Sequence, residues 1–322
     1  MNSTAGRPQV GLIHRPLAPT RPEFDFVNEI VRHFQITTTF DRLPRSRDDL
    51  AALNGLDAVI VFWPYRDLAR TEPLHMSRLR TRAVMLEHDA FGDFTTWGSL
   101  QGTWKSTFTR HEFELLVCSG VRSEEHFSHL GVQTAVVHKG YSPTRFHDLT
   151  MDRAGLCTYG APYPSRVALQ RALRHGRVPL TQITAPYSEL NLHLNRSLAM
   201  VTTVRGSEPR FGSIGKAIQR ARPSTLVRTE PAPEPMMKHF EAAGAGLAVF
   251  TDPTRDLAVL GFIEGTNVVT FHDLNDLVDK TRYWLARPDQ LRQIGANAGA
   301  LAATRHTWAH RAAELERAIF SP

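Results

Sequence analysis

The chain has 322 residues, 42% of them hydrophobic, an ordinary composition for a globular protein and room for two domains of about 150 residues each. No apolar run approaches the roughly 20 residues that a membrane-crossing helix needs, and residues 1–8 lack the apolar core of a signal peptide, so a cytoplasmic protein is expected. The net charge of +6 favours anionic partners and leaves a nucleic acid or a membrane surface open, although arginine is spread along the chain rather than blocked.

In chain order, residues 9–13 read as a first strand, followed by a Pro-rich loop over 15–22. A helix over 23–34 sets Phe26, Val27, Ile30, Val31 and Phe34 on one face. Residues 36–40 read as a strand, 46–54 as a short polar helix and 57–63 as a continuous buried strand. A helix over 73–79 and a strand from Ala83 into Glu87-His88-Asp89 complete a βαβ alternation, which predicts a doubly wound parallel sheet. Ligands collect at the carboxyl ends of such strands, which makes Glu87, His88 and Asp89 the polar cluster of this half. The same residues can instead finish the strand, with Asp89 on loop amides and His88 packed at the sheet edge. Residues 91–108 read as a long loop rich in aromatic residues. Its Trp97 and Trp104 either offer flat faces to a sugar or a base, or pin the loop to the core.

Strands at 114–119 and 134–138 flank a helix capped by Ser123. His126 and His129 share a face of it, but no third ligand accompanies them, so no metal site is expected. Cys118 and Cys157 lack metal-ligand spacing and sit in apolar runs, as reduced core residues do. After a hinge over 146–154 the second half opens with a strand at 155–160 and a helix over 165–175. A strand at 180–184, a helix or turn at 187–194 and a strand at 198–204 lead into a basic, Gly-rich stretch. Gly212-x-x-Gly215-Lys216 there lacks the Walker A spacing. Pro235 opens a helix with Met236, Met237, Phe240 and Ala243 on one face; Gly244 and Gly246 stop it, and 247–250 read as a buried strand. The free N–H groups and positive dipole end of that helix, with Lys238 beside them, are either a seat for a diphosphate or the polar first turn of an ordinary αβ unit. A helix from 272 to about 285 and two terminal helices broken near 306–308 complete the chain.

Lys238-His239-Phe240-Glu241-Ala242, followed by Gly-Ala-Gly and a strand ending in Thr-Asp, resembles the sugar-nucleotide-binding segment of group 1 (family-4-like) glycosyltransferases. Within them it looks closest to the subset related to spore-maturation proteins. The resemblance runs over about residues 230–318, and upstream Gly140 and Phe146 match the turn that closes the family's N-terminal domain. It implies an α/β GT-B fold, two Rossmann-like domains facing each other across a cleft. Residues 1–150 would form the acceptor side, 151–305 the nucleotide-sugar domain, and 306–322 a helix crossing back to the N-terminal domain. It implies further that Glu241 holds the ribose hydroxyls and that Arg205, Lys216 and Lys238 are the candidates at the donor diphosphate. Arg166 would face the cleft, or else sit at a solvated helix terminus. The family's upstream glutamate falls at Pro233, which leaves Glu234, one step away, as the candidate for the sugar contact. His88 and Asp89 match a His-Asp pair that helps bind the transferred sugar or position the acceptor, with Trp97 and Trp104 as acceptor-side candidates.

The expected reaction is transfer of a sugar from a UDP- or GDP-linked donor to an unknown acceptor, retaining, with no metal and no other cofactor. The alternatives are a GT-B sugar-nucleotide epimerase and a non-catalytic sugar- or nucleic-acid-binding module using the same cleft. The basic charge also keeps modified DNA open as an acceptor.

Overall fold

The computed structural model describes residues 7–44, 46–93, 102–162, 164–203 and 234–321. The expected site residues Trp97, Arg205 and Lys216 lie outside the described residues. The described strands form two sheets, both parallel, carried by two compact units.

The first unit holds β1 (Val10–His14), β2 (Thr38–Phe40), β3 (Ala58–Phe62), β4 (Arg82–Glu87), β5 (Leu115–Cys118) and β6 (Thr134–Val136), in the spatial order β2-β1-β3-β4-β5-β6. Alanine 58 through Val61 is buried at every position, as expected of a central parallel strand covered on both faces. The helix Pro22–Phe34 starts on proline, with Glu23 and Asp25 in its first turn and Arg32 and His33 in its last, which suits the macrodipole. It buries Phe26, Val27, Ile30 and Phe34.

Two local expectations fail here. Over 73–79 only a 3-10 turn forms, Met76–Arg78, because the Leu74 N–H donates sideways to His111 Nδ1 at 3.2 Å instead of along a helix. The helical turn lies earlier, at Tyr65–Leu68, where the Tyr65 N–H donates to the Glu87 carboxylate at 3.0 Å. The expected loop over 91–108 contains a 3-10 turn, Ala90–Asp93, and the start of a helix, Trp104–His111. That helix buries Trp104, Thr107, Phe108 and His111 at helical spacing, and Asp93 Oδ1 accepts from the Trp104 N–H at 3.1 Å.

The second unit spans 139–307. It holds β7 (Leu156–Tyr159), β8 (Leu180–Ile183), β9 (Ala199–Val201), β10 (Ala248–Thr251) and β11 (Val269–Thr270), in the order β11-β10-β9-β7-β8. Its first residue, Lys139, is fixed there by a buried ion pair with Glu234 at 2.5 Å. Tyr141 packs so tightly on Gly244 that a Cβ at that glycine would overlap its ring. Cys118 and Cys157 are free and buried, in agreement with the sequence, and burial pushes the Cys157 thiol up to about 12. The helix Trp308–Phe320 belongs to the first unit. Its Trp308 stacks on Phe26 with ring centroids 4.6 Å apart, and its Glu316 meets His33 at 2.8 Å. No helix among the described residues is long and apolar enough to cross a membrane.

Candidate functional site

In each sheet the second strand lies to one side of the first and the third to the other, so the winding reverses between β1 and β3 and again between β7 and β9. The carboxyl ends of strands flanking such a reversal are where doubly wound sheets hold ligands. In the second unit those ends are Tyr159 and the pair Thr202-Thr203.

At the end of β7 the chain turns through Gly160, whose φ of +93° is a region that favours glycine. A Cβ there would also overlap Lys238 Nζ. The turn feeds the helix Pro164–His175, whose buried Arg166 donates from Nη1 to the Ala161 carbonyl. The short helix Met237–Gly244 brings Lys238 and Glu241 to the same place, three residues apart and so on one face. Its start is organised by His239. Nδ1 meets the Met236 N–H at 3.0 Å and the Met236 carbonyl at 3.1 Å, and Nε2 is hydrogen-bonded with Thr251 Oγ1 at 2.7 Å, which ties the helix to β10. Burial pushes the His239 imidazole down to about 4, helped by the charges of Lys139 and Lys238, so it stays neutral.

Lys238 Nζ donates to the Tyr159 carbonyl at 2.5 Å and lies 4.4 Å from the centroid of the Tyr159 ring. Burial lowers its pKa to about 7; the neighbouring Arg166 charge acts in the same direction and Glu241 against it. The Glu241 carboxylate is 2% exposed. It accepts from the Tyr159 hydroxyl on Oε2 and from the Tyr187 hydroxyl on Oε1, the latter at 2.7 Å. Burial first, and the Glu241 charge second, hold Tyr159 protonated well above the usual phenol range. At the end of β9, the buried Thr202 Oγ1 has no hydrogen-bond partner among the described residues. Thr203 Oγ1 donates to Asp252 at 2.5 Å.

The structure therefore joins Glu241, Lys238 and Arg166, three of the expected residues, at one strand end. Two hydroxyl donors already face the carboxylate, as the two hydroxyls of a ribose would. Tyr159 and Tyr187 were not expected. Their contacts span 82 and 54 residues of sequence, and only the position of Tyr159 at a strand end before a glycine could have pointed to one of them.

The structure places Glu234 in an ion pair rather than against any group of the Glu241 cluster. It is fully buried and its carboxylate holds Lys139, because an ammonium inside the fold requires a partner. Trp104 is likewise not presented to an acceptor. Its ring is 3% exposed and stacks on Tyr65 at 3.7 Å, so it pins its segment to the core. His88, at the carboxyl end of β4, is buried against Phe26 at 5.1 Å and Trp308 at 5.8 Å, both stacked, while Asp89 is exposed. Glu87, the third member of that cluster, takes the structural part, accepting from the N–H groups of Tyr65 and Asp89 at 3.0 and 2.9 Å. His126 binds the Asp93 carboxylate at 2.8 Å and His129 the Glu125 carbonyl at 2.5 Å. Among the described residues no group of three or more His, Cys, Asp or Glu side chains could hold a metal ion.

A family profile described as "Glycosyl transferase-like" matches residues 147–317. A search of curated proteins finds no match. Among solved structures, HepE from Anabaena, in complex with UDP and glucose, superposes with a TM-score of 0.65 at 13% identity, covering 98% of this chain and all of that one. Sucrose-phosphate synthase from Thermosynechococcus elongatus gives 0.61 at 10% identity, covering 97% and 98%. T4 phage BGT, in complex with UDP-glucose, gives 0.55 at 10%, covering 97% and 99%. The fold is that of GT-B proteins.

Proposed function

Because the chain belongs to the glycosyl transferase-like family, we propose that it transfers a sugar from a nucleoside-diphosphate donor, held by the second unit, to an acceptor hydroxyl. The observation that carries this reading is the meeting of Glu241, Lys238 and Arg166 at the carboxyl end of β7. An ionised carboxylate only accepts hydrogen bonds, so Glu241 takes the ribose diol in the place of the tyrosine hydroxyls. Lys238 and Arg166, with the start of the helix Met237–Gly244, take the diphosphate. The UDP-glucose in the HepE and BGT structures favours a UDP-linked donor. The Lys238–Asp252 segment favours the spore-maturation-related subset of the family.

In the retaining reaction proposed, the acceptor oxygen bonds to the anomeric carbon from the face that the diphosphate leaves. The bond from that carbon to the diphosphate oxygen breaks, the electron pair goes with the oxygen, and the acceptor's proton passes to it. Lys238 and Arg166 offset the charge growing there, the part a divalent ion plays in other transferases, and no cofactor besides the donor is invoked. His88 and Asp89, at the end of β4, are assigned to the transferred sugar or the acceptor, and the work is placed in the cytoplasm.

Thermal unfolding against UDP, GDP, UDP-glucose and GDP-mannose tests the reading. A donor at one hundred times its Kd adds about 2.7 kcal/mol of stability. Glu241→Gln is expected to weaken nucleotide binding at least tenfold, about 1.4 kcal/mol. His88→Phe preserves the aromatic stack and is expected to lower kcat at least tenfold with Tm unchanged. Absence of any shift in the unaltered protein ends the proposal.

A further inference from the structure

The second unit begins at Lys139, and the turn over 139–141 meets both ends of the helix that carries Lys238 and Glu241. Ahead of the first turn of that helix, Lys139 Nζ donates to Glu234 Oε1 at 2.5 Å and lies 3.9 Å from Sδ of Met236, the N-cap. The ammonium is 1% exposed and the carboxylate not at all. At the other end the buried ring of Tyr141 rests on Gly244, where a Cβ would overlap it. The Tyr141 N–H donates to the His306 carbonyl at 3.2 Å, so the turn is itself tied to the residue that ends the helix Pro288–Arg305.

The helix between these contacts needs holding. It has eight residues, and a helix this short draws little stability from propensity. Its N-cap is a methionine rather than Ser, Thr, Asp or Asn, the residues that fix a helix start best. The helix Pro288–Arg305 packs along its side, which leaves sliding along its own axis to be opposed at its ends. What it carries tolerates little slip. Lys238 meets the Tyr159 carbonyl at 2.5 Å and Glu241 the Tyr187 hydroxyl at 2.7 Å. A slide of one residue is about 1.5 Å, and misplacement by about 1 Å can lower a rate about a hundredfold. A buried ion pair is also a poor source of stability alone, because apolar side chains of like volume often serve as well or better. Joining residues 95 apart in sequence, this pair selects one geometry for the start of the helix.

We infer that Lys139 with Glu234, and Tyr141 against Gly244, are positioning residues: the turn that opens the second unit clamps the helix Met237–Gly244 at both ends and so sets the reach of Lys238 and Glu241 toward a nucleoside diphosphate. The inference rests on the glycosyltransferase reading and adds to it the device that aligns the donor-binding helix. The clamp acts through position and not through its own charge on the donor. Its loss therefore weakens binding by one factor on both sides of about pH 7, where Lys238 titrates.

Calorimetry with UDP-glucose, or with GDP-mannose where the unaltered chain binds that instead, tests it beside the Tm. Lys139→Met alone leaves the buried Glu234 carboxylate without this cation and is expected to lower Tm by about 10 °C. Lys139→Met combined with Glu234→Leu makes the pair apolar. It is expected to melt within about 3 °C of the unaltered chain and to bind the donor at least tenfold more weakly, by the same factor at about pH 6.5 and about pH 8.5. A purely structural pair would move Tm and leave Kd alone. Gly244→Ala presses on the clamp from its other end and is expected to raise Kd at least tenfold; it decides alone if the double variant does not fold. Either folded variant binding the donor as tightly as the unaltered chain overturns the inference. A wrong glycosyltransferase reading shows itself separately, as an unaltered chain that binds neither donor. The clamp is then read from amide exchange over 237–244, expected to be at least tenfold faster in the folded variants, and unchanged exchange overturns it.

Discussion

Lys238 carries a charge that the fold holds only weakly. Its pKa falls from an ordinary 10.5 to about 7, chiefly through burial and then through Arg166. For stability the sign is unfavourable below about pH 7, where the cation must be kept inside, and the penalty fades as pH rises from about 7 toward 10.5. For donor binding the sign reverses. A diphosphate beside the ammonium favours its charged form, so the complex takes up a proton wherever the free protein has lost one. UDP-glucose is the suitable probe, because its diphosphate has no ionisation near neutrality. Its Kd is expected to rise with pH above about 7, approaching tenfold per unit. Calorimetry in buffers of different ionisation enthalpy should show up to one proton taken up per donor at about pH 8. Lys238→Met should bind weakly with little pH dependence. A Kd level from about pH 6.5 to 9 in the unaltered protein would remove Lys238 from the diphosphate. Glu241 and Lys238 were legible in the sequence because they stand in one short segment with a recognisable order. Tyr187 was not, because its hydroxyl is brought to Glu241 only by tertiary packing.

Among the helices, Pro288–Arg305 shows how packing can hide from hydrophobic periodicity. Its buried face is Leu291, Ile294, Gly295, Ala298 and Ala302, mostly small residues, and it lies on the helix Met237–Gly244 and on β10. A Cβ at Gly295 would overlap the Gly246 carbonyl and fall 2.9 Å from Ala248 N and 3.1 Å from Leu247 C, all backbone atoms that cannot step aside. At Gly299 the nearest atoms are 3.2 and 3.6 Å away. Alanine is better than glycine in a helix by about 0.8–1.0 kcal/mol, and overpacking costs about 1–3 kcal/mol. Gly295→Ala is therefore expected to destabilise by up to about 2 kcal/mol and Gly299→Ala to lie near zero, read from urea midpoints. Equal effects would show that close approach is not what requires glycine at 295. The strands were legible for the opposite reason, since buried parallel strands are continuous apolar runs such as Ala58–Phe62. The helix Trp104–His111 was missed because its buried face mixes Trp and Phe with Thr and His.

For the molecule as a whole, the same winding occurs twice, and in the second sheet the reversal carries a carboxylate with two cations. Local sequence could announce the alternation of strands and helices, but not which strand ends meet, because strand order depends on pairing between distant segments. Chain order also misleads about stability. Trp308 directly follows the last residue of the second unit, yet its ring is 2% exposed and is stacked on Phe26 and His88 of the first. Trp308→Ala is expected to cost about 3–5 kcal/mol, and the loss belongs to the first unit. Hydrogen exchange should show β1, β4 and the helix Pro22–Phe34 losing protection together, while β7, β9 and β10 keep theirs. On the proposed binding of the donor by the second unit, UDP-glucose should protect β7 and the helix Met237–Gly244 in the variant as in the unaltered chain. Loss of protection beginning in β7–β10 would mean that the final helix supports the second sheet, and that the two units do not own the cores assigned to them.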